Sequence, residues 1–479
     1  MTYFAITSRQ KRPFFRKKHI FCNFLHNPVS NYNFCRLLLG YYEKADIKDI
    51  IHFGYTDLDI PRCSIMEQTT TKLWNRNFSL LMTVQILAFF VNTTLSFVLP
   101  LHILYISGSP ALFGTILALA GIPLIMMTPL GGIIADRGKK KRIIFWMDFS
   151  TTIVITLYML LSGFFTDVVP IVIAKLLALN VIQGIYMPTT MASVRFLVPK
   201  EKLVPANAVA GMIFSLANAT GPAIGTILYA QFNLFPILVG CGVIFAIVCI
   251  MDLFLRIPHE EQDKSVNVRV MIQNDLSRSI RFLTKEKTAI GKISIILFFF
   301  TIPSVAMIIV GLPVLVTQTL AMDMQLLAIS QAIVMGGGLL GGILVGNLEK
   351  KLTLRKAHRL LWVCTAATFL AGLVFLLGDF PFLTFVVITA AGFIILLTTQ
   401  IVLIEIIAYA QLESPPEIVG KISAIVMALA LAAYPVGQFL FGVLFEQMAA
   451  LPHLVMFIAV CMSAVVAIGS RRHFKGITP

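Results

Sequence analysis

The chain has 479 residues, 58% hydrophobic and 13% charged, with a mean hydropathy of +0.87 and a formal net charge of +15. A soluble domain is about one-quarter charged and could not bury this much apolar surface, so a soluble globular protein is excluded. A basic excess in a soluble protein would suggest nucleic acid, but here the Lys and Arg residues sit in short segments between apolar stretches, where they act as topology determinants and contacts to anionic lipid.

Residues 1–65 mix basic runs (Lys11-Arg12, Arg16-Lys17-Lys18) with aromatics and lack the apolar core of a secretory signal. Met66 opens a short polar lead into the first apolar span, and the reading here is that the native protein starts at Met66, with 1–65 an extension without a fold of its own.

From residue 78 onward the chain divides into apolar stretches of the ~20 residues needed to cross a bilayer. Helices are predicted near 78–106, 110–134, 143–166, 169–196, 206–231, 235–257, 290–318, 325–348, 358–378, 381–408, 418–446 and 452–470. With this count, all 38 Lys and Arg residues except Lys175 fall on one side. Loops keep positive charge on the cytoplasmic side, so this asymmetry places both termini in the cytoplasm. An all-α membrane protein with twelve transmembrane helices follows.

Three sequence echoes divide the spans into two six-helix halves, 66–257 and 290–470. Val98-Leu99-Pro100-Leu101 recurs as Gly311-Leu312-Pro313-Val314, and Pro222-Ala223-Ile224-Gly225 as Pro435-Val436-Gly437, each at an offset near 213. Gly131-Gly132-Ile133-Ile134 recurs as Gly341-Gly342-Ile343-Leu344 at an offset of 210. The connector 258–289 carries Val268, Met271, Ile272, Leu276, Ile280 and Leu283 at the spacing of an amphipathic helix lying on the inner membrane face, and 471–479 is a short cytoplasmic tail.

The seven cysteines form no CxxC pair, and no HExxH helix or GxxxxGK[ST] loop occurs. Without a paired-carboxylate, Ser/His or metal-ligand constellation, an enzyme is not expected, and neither is a cofactor.

Gly132-Ile133-Ile134-Ala135-Asp136-Arg137-Gly138-Lys139-Lys140-Lys141-Arg142 resembles the loop 2–3 motif of the major facilitator superfamily, except that Gly138 follows Arg137 with no spacer. Gly132 is expected to let two helices approach, and the basic run to hold the loop at anionic lipid. The resemblance implies two pseudo-symmetric halves rocking about a midplane site. It also implies that Asp136 faces the positive end of the eleventh helix and holds the inner gate shut. Ser414-Pro415-Pro416-Glu417 has the capping-box form that would start that helix. Thr220-Gly221-Pro222-Ala223-Ile224-Gly225 resembles the antiporters' helix-5 Gly-Pro motif in part, and helix packing explains it equally well. Pro188 to Asn207 looks like the fourth-to-fifth helix connection of the macrolide-efflux and enterobactin-exporter branch, which implies export of an organic compound from a bacterial cell.

Ionisable groups inside spans are functional candidates because a charge in hydrocarbon costs several kcal/mol. Lys175 is five residues after Pro170 and is expected to snorkel outward, with cavity lining as the alternative. Asp148 is expected to form a structural ion pair with the basic loop, with proton transfer as the alternative, and Asp252 to pair with Arg256 one turn on. Glu405 has no basic neighbour on its helix and either titrates or lies exposed at the cytoplasmic mouth. Gln85, Asn92, Asn180 and Gln183 are the neutral groups that could line the path, and Asn180 and Gln183 could equally hold helices together. The expected function is therefore proton-coupled export of a lipophilic or amphiphilic compound by a monomer in the plasma membrane. Uptake by symport and a non-transporting receptor are the alternatives.

Overall fold

The computed structural model describes residues 73–258, 277–347, 357–376, 380–415 and 418–475, apart from 166 and 280. Residues 1–65 and most of the predicted amphipathic connector lie outside these.

Twelve helices long and apolar enough to span a membrane occur among the described residues. They are α1 Arg76–Ser107, α2 Pro110–Arg137, α3 Lys140–Ser162, α4 Val169–Val194, α5 Leu203–Phe232, α6 Leu234–Phe254, α7 Thr288–Thr319, α8 Met324–Asn347, α9 Ala357–Val374, α10 Pro381–Glu413, α11 Val419–Gln447 and α12 Pro452–Lys475. In hydrocarbon every backbone polar group must be paired inside the chain, which leaves helices as the way to span it for a sequence without alternating patterning.

Local chemistry sets the helix ends. Asn75 caps α1 by accepting from the Phe78 N–H at 2.9 Å, and Gly108, at φ 66°, ends α1 by donating to the Leu104 carbonyl. Ser109 caps α2, whose first residue, Pro110, has no N–H to satisfy. Gly138 lets α2 and α3 follow with only two residues between them, since a Cβ there would lie 2.6 Å from Ile143 and 2.9 Å from the Ile134 carbonyl. That is the physical content of the missing spacer.

The halves repeat one packing scheme. α2 packs on α4, α1 on α5, α3 on α4 and α3 on α6; the second half repeats these as α8 on α10, α7 on α11, α9 on α10 and α9 on α12. Each echo predicted from sequence joins equivalent helices: Pro100 and Pro313 lie in α1 and α7, Pro222 and Pro435 in α5 and α11, Gly131 and Gly341 in α2 and α8. The glycines make the scheme possible. A Cβ on Gly131 would lie 2.7 Å from the Ile185 Cα of α4, and one on Gly341 2.7 Å from the Leu397 carbonyl of α10. α7 departs from its counterpart by opening into π-turns at Met307–Gly311 and Leu315–Thr319, either side of Pro313.

Three local expectations are corrected. α6 stops at Phe254, and Leu255 is extended at ψ 131°, so Arg256 is not on the helix with Asp252 and no i,i+4 pair exists. Ser414 does not cap α11: its hydroxyl donates to the Ala410 carbonyl at the end of α10, while α11 starts at Val419 behind an Ile418 that supplies no side-chain cap. Gly131, not Gly132, is the glycine that lets α2 approach α4; a Cβ on Gly132 would meet nothing within 4 Å.

Candidate functional site

The two halves meet along α2 with α11 and α5 with α8. The first seam is tight at the end away from the basic loops. A Cβ on Gly114 would run into the Gln438 carbonyl and lie 3.0 Å from Gly442 Cα, and one on Gly121 would lie 3.2 Å from Pro435 Cγ. Glu446, in the last turn of α11, closes the seam: its carboxylate accepts from the Ser109 hydroxyl and, at 3.0 Å, from the Ala111 N–H. The first turn of α2 has no acid of its own, so Glu446 supplies the negative charge that a helix N-terminus favours.

Eighteen residues along a helix is five turns, or ~27 Å, and returns to the same face. Gly132 is therefore in line with Gly114, and Gly420 in line with Gln438. A Cβ at either Gly132 or Gly420 would meet nothing within 4 Å. One stripe is sealed at the end bearing Glu446 and open at the end bearing Arg137. Met427 and Leu431, on the α11 stripe between Gly420 and Gln438, are 40% and 42% exposed. The second seam behaves alike. Thr226 of α5 donates to Gln331 of α8 at 2.8 Å, while Met212 and Leu216, towards the basic end of α5, are exposed. Asp136 is exposed and makes no hydrogen bond or ion pair among the described residues. Arg137 is exposed beside it.

Within the first half, Asn92 of α1 donates to Gln183 of α4 at 3.3 Å, bringing together two predicted path-lining groups. Gln85 is buried with its carbonyl oxygen unpartnered, and Asn180 is half-buried, its amide turned back to the Leu176 carbonyl. The Gly-Pro motif packs: Gly221 lies against Thr93, a Cβ on Gly225 would be 2.6 Å from Val98, and Thr93 and Thr94 donate to the Ala217 and Gly221 carbonyls of α5.

Lys175 does not snorkel. It is 3% exposed, its Nζ has no hydrogen-bond acceptor, and it sits 4.3 Å from the centroid of the Tyr158 ring, whose π face offsets part of the desolvation. Asp148 has no cation beside it; it is 2% exposed on the face packed against α6, where its neighbour is Asp252. Glu405 is half-buried rather than open at the mouth. At the basic end, Lys287 just before α7 bonds Glu413 at the end of α10 at 2.5 Å, and that carboxylate holds the Lys287 ammonium above its usual range.

Sequence reasoning did not find Glu446, Ser109 or Tyr186. A Ser-Pro helix start with no acid in its first turn was the available signal for Glu446: such an N-terminus calls for a carboxylate from elsewhere.

Two repeated six-helix halves, joined by seams closed at one end and open at the other, define a polytopic membrane carrier. The major facilitator superfamily model matches residues 81–437, three-quarters of the chain, and the protein belongs to that family. Solved structures with the same fold include the nucleoside transporter NupG (14% identity, TM-score 0.63, covering 84% of this chain and 100% of that one) and a D-xylose–proton symporter (15%, 0.62, 84% and 100%). A bacterial homologue of the iron transporter ferroportin in an inward-facing state is also similar (14%, 0.59, 82% and 98%). Comparison with the curated proteins finds no match. The protein is thus a multi-pass membrane transporter of small molecules.

Proposed function

We propose that the chain exports lipophilic or amphiphilic organic molecules by proton antiport, and that the structure is the state open to the cytoplasm. The observation that carries this is the α2–α11 stripe, shut at Gly114 and Gln438 and open at Gly132 and Gly420. The open end bears Arg137 to Arg142, Lys200 and Lys202, the charges that cytoplasmic loops retain.

The exposed groups along the open stretches, Met427 and Leu431 on α11 with Met212 and Leu216 on α5, are apolar and in part flexible, which suits lipophilic molecules of varied shape. Neutral Asn92 and Gln183 offer hydrogen bonds without a fixed charge to demand an ionic substrate. The direction rests on the resemblance of residues 188–207 to the macrolide-efflux and enterobactin-exporter branch. Asp136 then acts in the opposite state, where closure brings it to the start of α11.

Everted membrane vesicles test the proposal. With an acid interior they should accumulate a labelled macrolide or ethidium, and collapsing the pH gradient should empty them. Accumulation in right-side-out vesicles instead would make the protein an importer.

A further inference from the structure

Between α3, α4 and α6 lies a polar cluster that neither the gates nor the path-lining groups use. Asp148 of α3 and Asp252 of α6 each lie about one turn from the Thr152–Cys249 contact that joins these two helices at 3.5 Å, and they are 2% and 0% exposed. Asp148 Oδ2 and both oxygens of Asp252 have no hydrogen-bond donor. Tyr186 of α4 is 1% exposed and its hydroxyl has no partner; from the Lys175–Tyr158 contact between α4 and α3, Tyr186 and Asp148 lie eleven and ten residues further toward the basic end, at the same level of the two packed helices. The other titratable groups acting on the pair among the described residues are Cys249 of α6 and Lys141 at the start of α3. Lys141 turns its Nζ to the Leu253 carbonyl at 2.8 Å and forms no ion pair with Asp252.

Two adjacent carboxylates out of water cannot both be ionised without a cation between them, because their repulsion adds to the cost of desolvation. A metal ion would need more donors, and no group of three or more His, Cys, Asp or Glu side chains that could hold one occurs among the described residues. A proton needs only the two oxygens. It also has a way in: a cavity of about 750 Å³ at the basic end is lined by Arg76, Lys141, Leu255 and Arg256, which brings water to within a turn of Asp252. Lys175 is a separate feature, eleven residues or ~16 Å along α4 from Tyr186.

We infer that Asp148 and Asp252 bind one exchangeable proton between them, with Tyr186 completing the site, and that this proton, taken up and released through the cavity at the basic end, is the one coupled to transport. The proton adds to one carboxylate oxygen and is shared with the other as O–H···O⁻, so the occupied pair carries one negative charge; its release leaves two, a state the pair holds only while the cavity at the basic end admits water to it. The coupling role rests on the proposed antiport, whereas the proton site itself does not.

Infrared difference spectroscopy on the purified full chain, without substrate, separates the two. The wild type should show a buried carboxylic acid band that titrates with pH and is indifferent to sodium at fixed pH. Asp148→Asn and Asp252→Asn should each abolish it, since the amide donates permanently to the remaining carboxylate. A band surviving in either variant, no titrating band in the wild type, or displacement by sodium overturns the site. Should a variant fail to fold, wild-type labelling with dicyclohexylcarbodiimide decides: modification of the peptides bearing Asp148 or Asp252 that fades as pH rises is expected, and none at any pH refutes the site. In proteoliposomes, pH-driven ethidium accumulation should fall at least ten-fold in both variants; wild-type accumulation refutes coupling. A wild type that moves no ethidium counts against the export reading alone and leaves the infrared result standing.

Discussion

Among the described residues, Glu446 is the charged side chain of the second half that hydrogen-bonds the first turn of α2. Glu446→Ala should leave the helices intact but loosen that end. In a cysteine-free background carrying Ala118→Cys, a buried position on the α2 stripe, an impermeant maleimide applied from the non-basic side should label severalfold faster in the Glu446→Ala variant. An unchanged rate would show that glycine packing closes the seam alone. Single residues were the scale at which sequence was least legible. Asp148 and Lys175 stand out as charges in apolar spans, but their partners, Asp252 and Tyr158, lie on neighbouring helices chosen by packing. The pairing of Asp252 with Arg256 failed because α6 ends two residues after the acid, a boundary that hydropathy does not resolve. Lys175 does not snorkel because its ammonium turns inward onto the Tyr158 ring of a neighbouring helix, which the sequence of α4 alone does not show.

Of the adjacent glycines on α2, Gly131 packs against α4 and Gly132 faces open space, and this separates stability from motion at the scale of the helix. Gly131→Val pushes side-chain atoms into the α4 backbone and should cost about 1–3 kcal/mol or more, seen as a lower unfolding temperature of the detergent-solubilised protein. Gly132→Val meets only open space in this state, so the unfolding temperature should hold. It should nevertheless block closure of the basic end and cut transport at least ten-fold. If Gly132→Val transports like wild type, α2 and α11 do not meet there. Asp136→Asn belongs with it: insertion stays normal while transport falls, because the opposite state loses the charge offered to α11. The helices themselves were largely readable, since twelve apolar stretches have no other way to satisfy their backbones in lipid. Ends were less so: Ser414 reads as a cap for the helix that follows it, whereas in the fold its hydroxyl donates to the Ala410 carbonyl of the helix before it.

For the whole molecule, the internal echoes of Pro100, Pro222 and Gly131 revealed the repeat because each sits where helices touch and substitution is sterically limited. The repeat in turn dictates that α2 and α11 form a seam whose two ends are built from different residues on one stripe. Rocking of the halves should exchange which end is sealed. The most direct test places spin labels at Gly132→Cys and Gly420→Cys and measures their separation in lipid while pH is varied and a macrolide or ethidium is added. Two populations are predicted, a long separation matching this structure and a short one that grows at the expense of the first as conditions change. One fixed separation under every condition would contradict alternating closure of the seam.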